Sequence, residues 1–339
     1  MSAAAPFLPH GGSGEDFLAR YYPHAPRPWL DLSTGINPSP YPVADFSPAA
    51  WHALPSPQHY RDCSSAAANH FGVEPRNVAI LPGSQIAIAL LPRLFSPTTV
   101  AVLDPTYGEH AECWQKAGHE VEPVTADRAA TSNAAILVLT NPNNPDGVVW
   151  TPNEIARVAA ERMAAAQWLV VDEAFADVMP EISAAKYCTG SNLIVLRSFG
   201  KFFGLAGARL GFAIAPERHA RELEDMIGPW AVSGPALELG ARAYADRDWQ
   251  EGTRRRLARA MMPLLDLLTR YGLSHAGGTM LFSLVAHARA PSLFTELCEA
   301  GIYVRRFAQN PRWLRFGLPR DDAELRRIEC ALRLWTEHS

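Results

Sequence analysis

The chain has 339 residues, of which 48% are hydrophobic and 19% charged, with a formal net charge of −4. That length supports one large domain with a smaller companion, and the apolar content can fill a core, which excludes a wholly disordered chain. The mildly acidic balance excludes a general electrostatic footprint for nucleic acid or an anionic membrane, leaving small molecules as the expected partners.

The opening stretch, MSAAAPFLPHGGSGEDF, has no positively charged start followed by an apolar run, and apolar runs elsewhere are of strand length. Neither export nor a bilayer span is expected, and the expected location is cytoplasmic. The first sixty residues are rich in proline, glycine and aromatics and read as an ordered, irregular arm rather than a helix. From about residue 64 strand-length apolar runs alternate with helical stretches: residues 77–81, 99–104, 134–140, 168–174, 192–198 and 210–215. Runs without polar alternation predict strands buried on both faces, hence a mostly parallel sheet between helices, an α/β three-layer domain. Thr151, Pro152 and Glu154 predict a capped helix start. After GPWAVSGPALELG at 228–240, an arginine-rich helical stretch at 248–271, a GGTMLFSLV run, a helix near 291–300, GIYVRRF and WLRFGL predict a smaller α+β domain. The expected organisation is an N-terminal arm over 1–45 packing on the small domain, a large domain over 46–232 and a small C-terminal domain over 233–339. Cys63, Cys113, Cys188, Cys298 and Cys330 are odd in number and widely spread, so neither a disulfide framework nor a metal site is indicated.

Ligands of doubly wound sheets sit beyond the carboxyl ends of the strands. Four such ends carry polar residues here: Gly83, Ser84 and Gln85 opening a helix; NPNNPDG from Asn141 to Gly147; Asp172; and Ser198 with Lys201 close behind. Lys201 is one of three lysines among 31 basic residues, and it lies in an apolar setting, SFGKFFGLAGARLGF. Taken singly, a strand-end aspartate or an Asn-Pro turn is what any loop carries. Together the set matches pyridoxal 5′-phosphate. Backbone N–H groups at a helix start take its phosphate. Lys201, with its amine pKa depressed by apolar packing and by Arg209, would attack its aldehyde. Asp172 would keep its ring nitrogen protonated, Asn144 would donate to its phenolic oxygen, and Tyr107 would stack on the ring.

The ordered motifs PGSQ, DPTYGEH, NPNNPDG, VVDEAF, SFGKFFGLAGARLGF and LRFGL make the chain resemble the fold type I aminotransferase superfamily over nearly its whole length. The resemblance implies that Lys201 carries the cofactor. It also implies that Ser84, Gln85, Ser198 and Arg209 hold the cofactor phosphate, and that Arg315 grips the substrate carboxylate. A homodimer follows, in which Tyr60 reaches the neighbouring cofactor phosphate, although Arg61 stands where proline is usual. Phe175 departs from the tyrosine common at its position, removing a hydrogen bond to the phenolic oxygen. Within the superfamily the His10-Gly11-Gly12 arm and Asn37 in LDLSTGINP resemble the L-threonine O-3-phosphate decarboxylases of the cobalamin pathway, more than the related histidinol-phosphate aminotransferases. That implies a small phosphorylated amino acid as substrate, with His10, Gly11 and Asn37 around its phosphate and Arg305, Arg306 or Arg320 supplying positive charge. Glycines beside an imidazole let backbone N–H groups approach an oxyanion. On its own the same HGG stretch reads rather as a surface histidine with a flexible Gly-Gly linker, and the resemblance is what favours the binding role. The alternatives are transamination of the histidinol-phosphate type, using the same residues, and a non-catalytic cofactor-binding regulatory module.

Overall fold

The structure, a computed structural model, describes residues 7–8, 10–43, 46 and 48–337. The apolar runs become strands Val78–Leu81, Thr99–Leu103, Ile136–Thr140, Trp168–Asp172, Leu193–Ser198 and Gly211–Ile214. A further strand, Glu120–Val124, lies beside Thr99–Leu103 at the sheet edge. It was not expected, because its side chains are exposed or half-buried and its Glu–Val alternation is short. Edge strands commonly carry such charges and proline.

The seven strands form one sheet in the order Val78–Leu81, Gly211–Ile214, Leu193–Ser198, Trp168–Asp172, Ile136–Thr140, Thr99–Leu103, Glu120–Val124. Gly211–Ile214 runs antiparallel to both neighbours, and the other pairings are parallel. Most of these strands are buried along their whole length, and the fold is the α/β arrangement of a mostly parallel sheet with helices. One helical layer packs through Ile88, Trp114 and Leu223 onto Val102, Val138 and Val170. The helix Pro152–Ala164 opens with a reciprocal cap, Glu154 N–H to Thr151 Oγ1 at 3.3 Å and Thr151 N–H to Glu154 Oε2 at 2.7 Å.

The chain divides into two compact units, residues 40–251 and residues 1–39 with 252–339. The break expected after residue 232 falls later because helix Gly234–Ala245 packs along helix Pro57–Phe71 inside the larger unit, with Gly240 closed against Cys63 and Leu210. In the smaller unit, Leu30–Asp31 pairs in parallel with Ile302–Tyr303. A four-stranded antiparallel sheet runs Arg305–Arg306, Trp313–Gly317, Phe282–Ala286, Ser274–Thr279, accompanied by helices Ala290–Glu299 and Asp322–Glu337. The arm is not irregular throughout: Gly14–Tyr21 is helical. Phe17 and Leu18 bury its inner face, and the Phe17 ring meets Tyr303 at 4.8 Å and Phe294 at 5.9 Å, so tertiary burial outweighs the surrounding proline and glycine.

Among the described residues no helix is long and apolar enough to cross a membrane, and no group of three or more His, Cys, Asp and Glu side chains is arranged to hold a metal. The five cysteines are free.

Candidate active site

Strand register gathers the polar ends at one edge of the large sheet. Thr140 lies opposite Asp172, Asp172 opposite Leu196, and Ser198 opposite Gly211, which itself opposes Leu81. The backbone continues this past the strands, with Asn141 N–H bonded to Asp172 O and Glu173 N–H to Leu196 O, each at 2.8 Å. The Asn-Pro turn, Asp172, Ser198 and the Gly83–Ser84 helix start therefore share one rim.

Lys201 sits in the short helix Phe199–Phe202 that follows its strand. Phe199, Phe202 and Phe203 are fully buried, Phe203 stacking at 4.6 Å on Phe199 and at 5.6 Å on Trp249. Gly200 allows the loop to fold back, since a Cβ there would meet Ala206 Cα at 2.8 Å. These contacts fix the lysine backbone, and its Nζ lies 5.6 Å from the Phe175 ring centroid.

Asp172 is buried with both oxygens engaged. Its Oδ2 is 2.9 Å from His110 Nε2, and its Oδ1 accepts the Ala174 N–H at 3.0 Å. The Ala174 N–H donates, and the His110 tautomer protonated at Nε2 donates as well, so both contacts suit a carboxylate that accepts. His110 was missed in the sequence. Its partner is 62 residues away, and the one signal was its place three residues after Tyr107 in DPTYGEH. Tyr107 Oη donates to Gln85 Oε1 at 3.0 Å, and Gln85 Nε2 donates to Glu109 Oε2 at 3.1 Å, so the aromatic side chain is held from the helix start at Ser84.

The neighbours of Asn144 are occupied with the turn itself. Asn141 exchanges bonds with the Trp150 backbone, and Asn143 bonds Pro105 O, Asp146 and Thr106. Asn144 is half-buried at the rim between them. Two glycines shape an anion cradle beside this rim. Gly83 has φ +94, and a Cβ on it would sit 2.6 Å from Arg209 Nη2; a Cβ on Gly211 would sit 2.2 Å from Ser84 N. Arg209 itself is left-handed at φ 51, with Nη1 donating to Ala206 O at 3.0 Å. Hydrogen at 83 leaves room for the Arg209 guanidinium, and hydrogen at 211 leaves room for the Ser84 N–H. The residues fit a phosphate-bearing aldehyde cofactor: an amine, a pinned carboxylate, an aromatic side chain and a cradle that a Cβ would fill. Tyr60, expected to serve a neighbouring site, bonds the Val232 backbone within its own chain, at 3.4 Å to O and 3.3 Å from N–H. Burial raises its phenol pKa.

The smaller unit holds the residues expected to meet substrate. Gly12, at φ +92, donates its N–H to Ser33 Oγ at 2.9 Å, and a Cβ on Gly11 would strike Ser33 O at 2.5 Å, so the His10-Gly11-Gly12 stretch folds tightly over Ser33. It is an ordered bend, not a free linker. Ser33 O in turn accepts from Arg315 Nη2 at 2.7 Å, and Ser33 Oγ donates to Asp31 at 2.6 Å. Asn37 is buried and accepts the Ser39 N–H at 2.9 Å, which orients its amide group. Arg305 and Arg315 are directly opposed across an antiparallel pair, so both guanidinium groups project to one face. Burial, and next the nearby Arg305, pull the Arg315 pKa below its ordinary value. Arg305 Nη1 donates to Leu8 O, whereas Arg306, pointing oppositely, lies 3.9 Å from the Phe294 centroid and 4.4 Å from that of Phe7. The register thus places Arg305 and Arg306, two of the three arginines that the sequence left open, on opposite faces.

A strand-end lysine, a buried aspartate bonded to a histidine and a glycine-walled helix start, all on one rim, are the parts that a pyridoxal-phosphate enzyme uses. The family model for aminotransferase class I and II matches residues 44–331. The chain belongs to that family. It is 44% identical over 338 residues to a protein of Sinorhizobium sp named threonine-phosphate decarboxylase, covering 97% of this chain and 98% of that one. It is 41% identical over 333 residues to a protein of the same name from Pseudomonas aeruginosa, covering 96% and 97%. Histidinol-phosphate aminotransferase from Sinorhizobium meliloti in complex with pyridoxal-5′-phosphate shares the fold, with a TM-score of 0.73 and 22% identity over 86% of this chain and 88% of that one.

Proposed function

We propose that this chain removes CO2 from L-threonine O-3-phosphate, with uptake of one proton, to give (R)-1-amino-2-propanol O-2-phosphate in cobalamin biosynthesis, using pyridoxal 5′-phosphate bound to Lys201. The observation that carries the reading is the near-full-length similarity to two proteins named threonine-phosphate decarboxylase. The opposed pair Arg305 and Arg315 supports it, because two guanidinium groups on one face suit a substrate that carries both a carboxylate and a phosphate.

When bound, the cofactor supplies an electron-withdrawing ring that takes up the electrons of the breaking bond. Lys201 provides the amine that anchors it, and Ser84, Gln85, Ser198 and Arg209, with Gly83 for clearance, hold its phosphate. Asp172 keeps the ring nitrogen protonated, Asn144 donates to the phenolic oxygen, and Tyr107 covers a ring face. Arg315 binds the substrate carboxylate through a two-pronged contact, which fixes the orientation of the carboxylate bond. His10, Gly11, Asn37 and Arg305 take the substrate phosphate. Val43, Trp51 and Leu54, each at least 60% exposed in the stretch leading to Tyr60, support a homodimer in which Tyr60 serves the neighbouring site. The setting we assign is cytoplasmic.

The reading is tested by incubating purified protein and cofactor with threonine phosphate and measuring CO2 and the amino alcohol phosphate. Amino-group loss that requires 2-oxoglutarate and releases no CO2 would instead identify an aminotransferase.

A further inference from the structure

On the face of the sheet opposite the Asp172–His110 pair lies a second polar cluster. Successive strand residues point to opposite faces. Glu173 therefore turns away from Asp172, and Arg197 away from Ser198. Arg197 Nη1 donates to Glu173 Oε2 at 2.8 Å, and its Nη2 donates to Asp177 Oδ1. His70 Nε2 also reaches Asp177 Oδ1 at 3.0 Å, while Glu173 accepts from Ser183 Oγ and Ala184 N–H, both at 2.6 Å. The Arg197 guanidinium lies 4.8 Å from the Phe71 ring, and Tyr244 and Cys188 face the cluster as well. Arg197, Glu173 and Asp177 are all but closed to solvent.

A buried ionic cluster is a poor stabilising device, since desolvation offsets the attraction and apolar replacements often do as well. Geometry is what a planar fork offers beyond charge. Glu173 and Asp177 flank the loop that carries Phe175, the ring against which Lys201 Nζ lies, and Arg197 belongs to the strand that leads into Lys201. We propose that Arg197 is a positioning residue: by gripping Glu173 and Asp177 together it sets the Phe175 loop and the Asp172 strand end against Lys201.

This inference rests on the cofactor reading above, and its test separates the two. The probe is the holoenzyme's visible absorption band, titrated with pH, alongside the pyridoxal phosphate dissociation constant and steady-state rates with threonine phosphate. Arg197→Lys keeps the charge and loses the fork. The triple variant Arg197→Met, Glu173→Gln, Asp177→Asn loses the fork without leaving an uncompensated buried charge, should the single variant not fold. Either folded variant is expected to shift the band's pH midpoint by at least half a unit and to lower kcat about tenfold or more with KM changed less than threefold. A midpoint and kcat matching the wild type would overturn the proposal. A wild-type protein with no such band would defeat the cofactor reading, and this inference with it.

Discussion

Asp172 Oδ2 and His110 Nε2 meet at 2.9 Å with both side chains buried, joining the end of a central strand to the helix after Tyr107. The imidazole thereby helps fix the rotamer of the carboxylate that the proposed function sets opposite the cofactor ring nitrogen. Asp172→Ala should lower kcat by roughly a hundredfold or more, the scale of losing one preorganised charge. His110→Phe, which removes one hydrogen bond and keeps the packing, should cost roughly tenfold. Steady-state CO2 release measures both, and equal losses would mean that the histidine does more than orient its partner.

The cradle depends on hydrogen at Gly211, where a Cβ would lie 2.2 Å from Ser84 N and 2.6 Å from Gly83 C. Backbone cannot yield as a long side chain can. Gly211→Ala should weaken pyridoxal phosphate binding at least tenfold and cost roughly 1–3 kcal/mol of stability through overpacking. Gly207→Ala is the control, with nothing within 4 Å of the added atom, and should change neither. Cofactor titration and thermal melts of the two variants decide it.

Arg305 and Arg306 should separate functionally. Arg305→Met removes a guanidinium from the Arg315 face and is expected to raise KM for threonine phosphate tenfold or more, the worth of a lost charge-assisted contact. Arg306→Met removes a cation held 3.9 Å from the Phe294 ring centroid, so it should lower the melting temperature and leave KM within about twofold of wild type. The reverse pattern would exchange their roles.

Stability should depend on pH through His219. Burial holds its imidazole pKa below the ordinary value, with Glu222 opposing and Arg218 reinforcing. The unfolded chain therefore takes up a proton first on acidification. Stability is unaffected by this group above about pH 6.5 and falls as pH drops from there to the depressed folded value. His219→Phe keeps the ring packed on Trp168, now at 4.6 Å, and should flatten the difference between urea midpoints at pH 7.5 and pH 5.5.

The large sheet was legible because most of its strands are buried on both faces and so read as unbroken apolar runs, two of them ending at the polar residues Asp172 and Ser198. Glu120–Val124 was not, since an exposed edge strand carries no such run. The helix Gly14–Tyr21 owes its stability to Phe17 meeting Tyr303 and Phe294, partners more than 270 residues away in the chain. His110 and the Arg197 cluster share that cause: their roles lie in contacts between distant segments. Lys201 stood out because arginine replaces lysine almost everywhere else. The choice between Arg305 and Arg306 needed the strand register, which sequence spacing does not specify.

The most direct test of the account follows the carbon atoms. Protein loaded with pyridoxal phosphate, given threonine phosphate carrying a labelled carboxyl carbon and no 2-oxo acid, should release labelled CO2 and one equivalent of the amino alcohol phosphate, and a Lys201→Ala variant should release neither. Label retained in a 2-oxo acid product, or release undiminished in the Lys201→Ala variant, would contradict it.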